Sequence, residues 1–448
     1  MFAANRADSF HRIKQAGVCR ARLEQRLISN RFAERIANAV TLVTFYFFAH
    51  QPMRLLPYEY RRIDGPIAPE KLFDYYFDED INSDVFRKVT EKCYRPATQM
   101  ILDLVETYKK DDKPFKLAYA LSGTFLESAK RYDPKLLDIF KKLADTGCVE
   151  FTGENYYHSV SSLFGEDRRE FCAQIQKHKE TIRELFGQET TFFRNTECLY
   201  NDNIAATVQG QGFEGILTEG VDWLMEYWKS PDFVYQAPCG LPVLLRNYKL
   251  SDDIGYRFPN KNWEGYPLKA EKFAGWLAEN TDMNFTLAMD YEAFGEHIWE
   301  ETGIFDFLHS LPAAIKEHPQ LEFSTPTETV RRLPPIGTIH VGDYQTISWA
   351  DKERNTSAWL GNEMQQVAFD ELKRLDAAVK ATGNADVLHV WRLMQTSDHL
   401  YYIATKAMND GDVHEYFSSY RSVFEGFVRL YSALMDLSHR ADRLINPE

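Results

Sequence analysis

The 448-residue sequence has no run of about 18 apolar residues, so the segment that a membrane-spanning helix requires is missing. Its six cysteines, at positions 19, 93, 148, 172, 198 and 239, form no CxxC pair and have no histidine at zinc-finger spacing. They read as reduced thiols of a cytoplasmic protein. Glycine-rich phosphate loops, GxSxG elbows and HExxH motifs are absent, which removes the common nucleotide-binding, serine-hydrolase and zincin readings. Basic residues are the minority: 52 Lys and Arg face 66 Asp and Glu, for a formal net charge of −14. Such a chain repels nucleic-acid backbones and anionic membrane surfaces, so neither is an expected partner.

Aromatic residues, by contrast, are abundant. They make up 14% of the chain, with 24 Tyr, 31 Phe and 8 Trp. That suits sugar rings stacking on flat side chains, and it equally suits an aromatic core. The first 38 residues are Arg-rich and weakly amphipathic and resemble a transit peptide, but read more simply as a short solvated helix or as translation from an upstream start, and they lack the apolar stretch of a secretory signal.

From about residue 41 to about 330, apolar strand-like runs alternate with amphipathic helical stretches, the βα signature. The candidate strands are LVTFYFF (42–48), FKLAYALS (115–122), CVEF (148–151), TFFR (191–194), EGILTE (214–219), VLLR (243–246) and NFTLAMD (284–290). Most are too evenly apolar for a sheet wetted on one face, as expected of parallel strands covered on both. Helices are expected from residue 96, from Pro134 to Gly147 and from residue 166. The Pro- and Gly-marked stretch RRLPPIGTIHVGDYQ (331–345) reads as a boundary. Three amphipathic stretches follow, at 362–381, 385–407 and 413–444, and predict a small helical bundle packed on the barrel. The division is a basic extension (1–38), a catalytic βα barrel (39–330) and a helical region (331–448).

In a βα barrel the active site is assembled just beyond the C-terminal strand ends. Those ends carry His50 and Gln51, Ser122, Glu154 with His158, Asn195 and Glu197, Glu219, and Asp290 with Glu292. Any one of them reads as an ordinary polar loop residue. Their recurrence at successive strand ends points to a site. Glycosidic bond cleavage needs two carboxyl groups across the bond, one attacking or activating water and one protonating the leaving oxygen. Glu197 lies between donors, with Arg194 and Asn195 before it, and such neighbours keep a carboxylate ionised as a nucleophile requires. Asp290 and Glu292 are two apart at a strand end, where an extended backbone points both to one side. An acid close to the negative Glu197 has its pKa raised, as a proton donor needs. This chemistry leaves either Asp290 or Glu292 as the donor.

The order HQP (50–52), GCVEFTGENYYH (147–158), a glutamate after a strand, then MDYEAFGEH (289–297) resembles the conserved regions of glycoside hydrolase family 57, with amylopullulanase and 4-α-glucanotransferase members. The resemblance covers roughly residues 43–330 and extends into SWADKERNTSAWLGNEMQ (348–365). It implies an α/β fold, an incomplete (β/α)7 TIM-like barrel followed by a C-terminal helical bundle. It also implies Glu197 as nucleophile and Asp290 as acid/base. Around them, His50, Gln51, Glu154, His158, Arg194, Asn195, Glu292, His297 and Trp359 are the expected substrate contacts, Trp359 by stacking on a sugar, although a tryptophan packed between helices fits that position equally well. Two departures stand out. Phe48 replaces the first histidine of the HxHQP pattern, and Arg194 stands where WxxE relatives carry an aromatic.

The expected activity is retaining hydrolysis of α-1,4 links in α-glucans, of the α-amylase type, with no cofactor and no metal. A 4-α-glucanotransferase or branching enzyme would use the same site. Two readings of other classes are a metal-dependent polysaccharide deacetylase, in which Glu154, His158, Asp290 and His297 would chelate an ion, and a non-catalytic glucan-binding protein. The first strand ends in His50 and Gln51 where deacetylases place paired acids, and a binding module has no use for a carboxylate pair.

Overall fold

The computed structural model describes residues 40–57, 67–225, 229–279 and 283–446. The basic extension, 1–38, lies outside the described residues. All seven expected strands form where the apolar runs predict them: β1 (Thr41–Ala49), β2 (Leu117–Leu121), β3 (Val149–Phe151), β4 (Phe192–Arg194), β5 (Gly215–Glu219), β7 (Pro242–Arg246) and β8 (Asn284–Asp290). Two short strands escape the sequence reading. One is β6 (Tyr235–Gln236), antiparallel to β7, and the other is β9 (Leu321–Phe323), parallel to the start of β1.

The strands form two sheets, ordered β3-β2-β1-β8 with β9 also on β1, and β4-β5-β7-β6. Two seams of isolated hydrogen bonds join them edge to edge. At one seam Gly153 N–H donates to Phe192 O (2.8 Å) and Arg194 N–H to Gly153 O (2.9 Å). At the other, Asn247 N–H donates to Thr286 O (3.0 Å). The result is a seven-stranded parallel barrel whose ladder is incomplete at both seams. Gly153 is required at the first, because a Cβ there would lie 2.4 Å from the Phe213 ring.

Period-two alternation sorts the side chains. Tyr46, Phe48, Ala118, Ala120, Phe192, Leu217, Leu244 and Ala288 fill the barrel interior. The residues between them face the surrounding helices, as Phe45 and Phe47 do. Those helices include α1 (Arg95–Tyr108), α2 (Pro134–Asp145) and α3 (Arg169–Phe186), close to their expected positions. α3 ends at Gly187 in the left-handed conformation (φ 69°).

The C-terminal region is helical as expected, but two of its three long amphipathic stretches are broken. Helix α4 (Glu363–Ala381) is continuous. The second stretch divides into α5 (Ala385–Met394) and α6 (Ser397–Tyr401), and the third into α7 (Met408–Phe417) and α8 (Val423–Ile445). The first break is fixed by the barrel: Ser397 N–H donates to His158 O (2.9 Å), and the Thr396 hydroxyl donates to Tyr157 O (3.0 Å). The second ends where Ser422 caps α8. The 331–345 stretch is no free linker either, since Gln236 N–H donates to Gly337 O and Ile339 N–H to Gln236 O, each at 3.0 Å. Among the described residues no helix is long and apolar enough to cross a membrane.

Candidate active site

The C-terminal strand ends and the broken helices enclose a cavity of about 450 Å³. Of the sequence-expected residues, His50, Gln51, His158, Arg194, Glu197, Asp290, Glu292 and His297 line it.

Glu197 sits on an unusual turn. It and Cys198 both adopt left-handed backbone angles (φ 53° and 55°), at a cost of roughly 1–2 kcal/mol per non-glycine residue. The turn is held from several directions. Asn195 Oδ1 accepts from Thr196 N–H (3.0 Å), and its Nδ2 donates to Leu199 O (2.9 Å) and Ser162 Oγ (3.0 Å). Trp349 N–H donates to Glu197 O (3.2 Å). The carboxylate then receives the Trp349 indole N–H at Oε2 (2.7 Å) and His158 Nε2 at Oε1 (3.1 Å). Burial opposes its ionisation, but the His158 hydrogen bond and charge, Arg194 and the indole together hold its pKa below the ordinary value.

Behind His158, Nδ1 is bonded to the fully buried Glu154, which also accepts from Arg194 Nη1 (3.2 Å). Burial pushes His158 down, yet Glu154 and Glu197 prevail and raise it to about 9, so it is an imidazolium at neutrality. Burial likewise works against the Glu154 charge, but His158 and Arg194 bring that carboxyl down to about 2. His50 stacks on His158 with ring centroids 3.9 Å apart. Burial and the facing imidazolium keep His50 neutral. A consistent tautomer has Nε2–H donating to Asp398 (2.8 Å) while Nδ1 accepts from the Ser122 hydroxyl (2.8 Å).

Asp290 is placed opposite in character. Its carboxyl has no hydrogen-bond partner among the described residues, and burial together with the Glu197 charge raises its pKa to about 6. Glu292 is tied down instead, accepting from the Tyr94 hydroxyl and from His50 N–H (3.4 Å). Burial and the neighbouring Asp290 push its pKa upward. Two carboxyls that the sequence could not separate thus differ in freedom.

Several expectations are corrected. Trp359 cannot stack on a sugar, because it is 0% exposed within the helical core, beside Tyr401. Asn195 lies outside the cavity, its amide spent on the Glu197 turn. Glu154 is also behind the wall and reaches the cavity only through His158. Glu219 is buried between Arg246 (3.1 Å) and Arg354 (2.9 Å). Phe48, in the missing histidine's place, lies under the Arg194 guanidinium (4.1 Å to the ring centroid). Among the described residues no three His, Cys, Asp or Glu side chains are grouped to hold a metal ion, including the proposed Glu154, His158, Asp290 and His297 set.

What the strand-end rule missed comes from the helical region: Trp349, Ser397, Asp398 and Tyr401 all line the cavity. The SWAD segment was visible, but its first tryptophan, rather than the one in AWLGN, meets the site. Trp349→Phe removes one charge-assisted donor and is expected to lower kcat by about 10-fold or more. A carboxylate that loses a donor regains a higher pKa, so the acid limb of kcat/KM should move to higher pH. An unshifted limb would deny the indole this role.

Comparison with known proteins places the chain as a whole. Over 412 residues the chain is 42% identical to a Methanocaldococcus jannaschii protein named "Putative alpha-amylase", covering 90% of this chain and 85% of that one. A 4-alpha-glucanotransferase from Thermococcus litoralis superposes with TM-score 0.64 at 15% identity over 92% of this chain, which spans 61% of that enzyme. A branching enzyme from Pyrococcus horikoshii superposes with TM-score 0.59 at 15% identity, covering 90% of this chain and 94% of the other. These two likenesses concern the fold. The sequence profile of Glycosyl hydrolase family 57 matches residues 44–342, and the chain belongs to that family.

Proposed function

We propose that this enzyme hydrolyses α-1,4 links in α-glucans with retention, with Glu197 as nucleophile and Asp290 as acid/base. The observation that carries the reading is the opposed environment of the two carboxyls: one is held ionised by an imidazolium and an indole N–H, the other is kept protonatable by burial and by the first. In the first step Glu197 attacks the anomeric carbon, the C–O bond to the leaving sugar breaks, and Asp290 gives its proton to the departing oxygen. In the second, the Asp290 carboxylate takes a proton from water as that water attacks the glycosyl ester, freeing Glu197. The His158 cation keeps Glu197 negative before the first step and accommodates the carboxylate that reappears after the second.

A sugar hydroxyl replacing water in the second step would make the same site a 4-α-glucanotransferase or branching enzyme. On the side of that reading is the group of rings at the cavity wall, Tyr401, Tyr416 and Phe417, surfaces on which an acceptor sugar stacks. Incubation with maltoheptaose and separation of products by size decides between them. Shorter maltodextrins alone, insensitive to EDTA, establish the hydrolase, and products longer than the substrate establish transfer. No product from any α-glucan would overturn both.

A further inference from the structure

Part of the cavity wall is not used by the proposed cleavage. Arg54 is 8% exposed and lines the cavity. Its backbone is pinned by Asn82, whose Oδ1 accepts from Arg54 N–H (2.8 Å). Of the five N–H groups of a guanidinium, three are engaged: Nε with Ser419 Oγ (2.8 Å), Nη1 with Pro52 O (3.3 Å) and Nη2 with Gln51 Oε1 (3.4 Å). Every one of these acceptors is neutral, and two N–H groups have no partner among the described residues. Among the described residues Arg54 makes no ion pair. The acids around it are engaged elsewhere: Asp398 by His50 (2.8 Å), Glu296 by Lys88 (2.9 Å) and Lys92 (3.7 Å), and Glu292 by Tyr94 and His50 N–H.

A buried guanidinium without a counter-charge is costly. Beside it, two serines of the cavity wall add hydroxyl donors. Ser419 Oγ accepts from Arg54 and Ser418 Oγ accepts from Tyr420 N–H (3.2 Å), so each hydroxyl hydrogen is left to donate. Lys88 lines the same cavity but is paired with Glu296. A neutral sugar hydroxyl both gives and takes a hydrogen bond. A stretch of wall that offers hydroxyl donors and an unneutralised cation fits a group that only accepts, such as a phosphate ester.

We propose that Arg54, with Ser418 and Ser419, forms a subsite for a hexose phosphomonoester, so that the enzyme takes a phosphorylated sugar unit beside its neutral glucan. The substrate class rests on the α-glucan reading, whereas the binding test below needs no turnover. Titration calorimetry with glucose 6-phosphate and with glucose should show the phosphate ester binding at least about tenfold more tightly. Added KCl should weaken only the ester, and inorganic phosphate should compete with it. Arg54→Gln should remove the preference. Should that variant fail to fold, Ser418→Ala/Ser419→Ala in one chain should reduce it by about threefold or more. Equal binding of the two sugars, no binding of glucose 6-phosphate, or a preference that survives these substitutions overturns the subsite. Neither result touches the maltoheptaose assay. Faster turnover of phosphorylated than of dephosphorylated maltodextrin would place the ester on the substrate chain. Inhibition by glucose 6-phosphate without such a difference would identify a free sugar phosphate as the ligand.

Discussion

Glu197→Ala is expected to lower kcat on maltoheptaose by about 10⁴-fold or more, because no covalent intermediate forms without the attacking carboxylate. The turn should survive the change, since Asn195 and the Trp349 backbone hold it independently of the carboxylate. Thermal unfolding close to that of the parent would show this. Azide admitted to the vacated space approaches the anomeric carbon from the face Glu197 used, opposite the leaving group. It should therefore restore part of the rate and yield the β-glucosyl azide. An α-azide from this variant, or a rate near that of the parent, would remove Glu197 from the nucleophile's role.

Asp290→Asn should cost about 10²–10⁴-fold on maltoheptaose, the usual share of general acid–base catalysis. An aryl maltoside with an acidic phenol leaves without protonation, so its first step should be far less affected, and azide should intercept the glycosyl ester to give the α-azide. The pH profile carries a sign. Asp290 acts first as an acid, so activity needs its proton and falls as pH rises through its pKa, placed near 6 by burial and by Glu197. Glu197 must be ionised, and its lowered pKa sets the acid limb below the ordinary carboxylate range. In Asp290→Asn the alkaline limb should vanish while the acid limb stays. A limb unchanged in that variant would assign the titration to Glu292 or another group.

Much of this could be read in the sequence, for identifiable reasons. Parallel strands buried on both faces leave a continuous apolar trace, so LVTFYFF and NFTLAMD marked β1 and β8 within a residue or two. β6 and β9 left no such trace, each being a short segment set by its pairing, with β7 and with the start of β1. The polar residues at strand ends did mark the cavity. Which of them face it was harder to read, because orientation depends on turns: Asn195 and Glu197 are two apart, yet the left-handed angles at Glu197 send one side chain into the turn and the other into the cavity. The helical breaks were hidden for another reason. Apolar spacing runs on through Gln395–Thr396, and only bonds to Tyr157 and His158 of a distant loop interrupt it. With the break unseen, Ser397 and Asp398 looked like ordinary helix surface.

The partners of Glu197 are far apart along the chain. His158 and Arg194 precede or adjoin Glu197, but Trp349 follows it by 152 positions and Ser397 by 200. A growing chain can complete its barrel strands while the Glu197 turn still lacks the segment that secures its carbonyl and its carboxylate. Catalytic competence should therefore arrive late in synthesis, as nearly the last event of folding, and the barrel alone should be no cassette to graft onto another helical region. Exchanging that region would also exchange the hydrogen bonds that set the charge of Glu197.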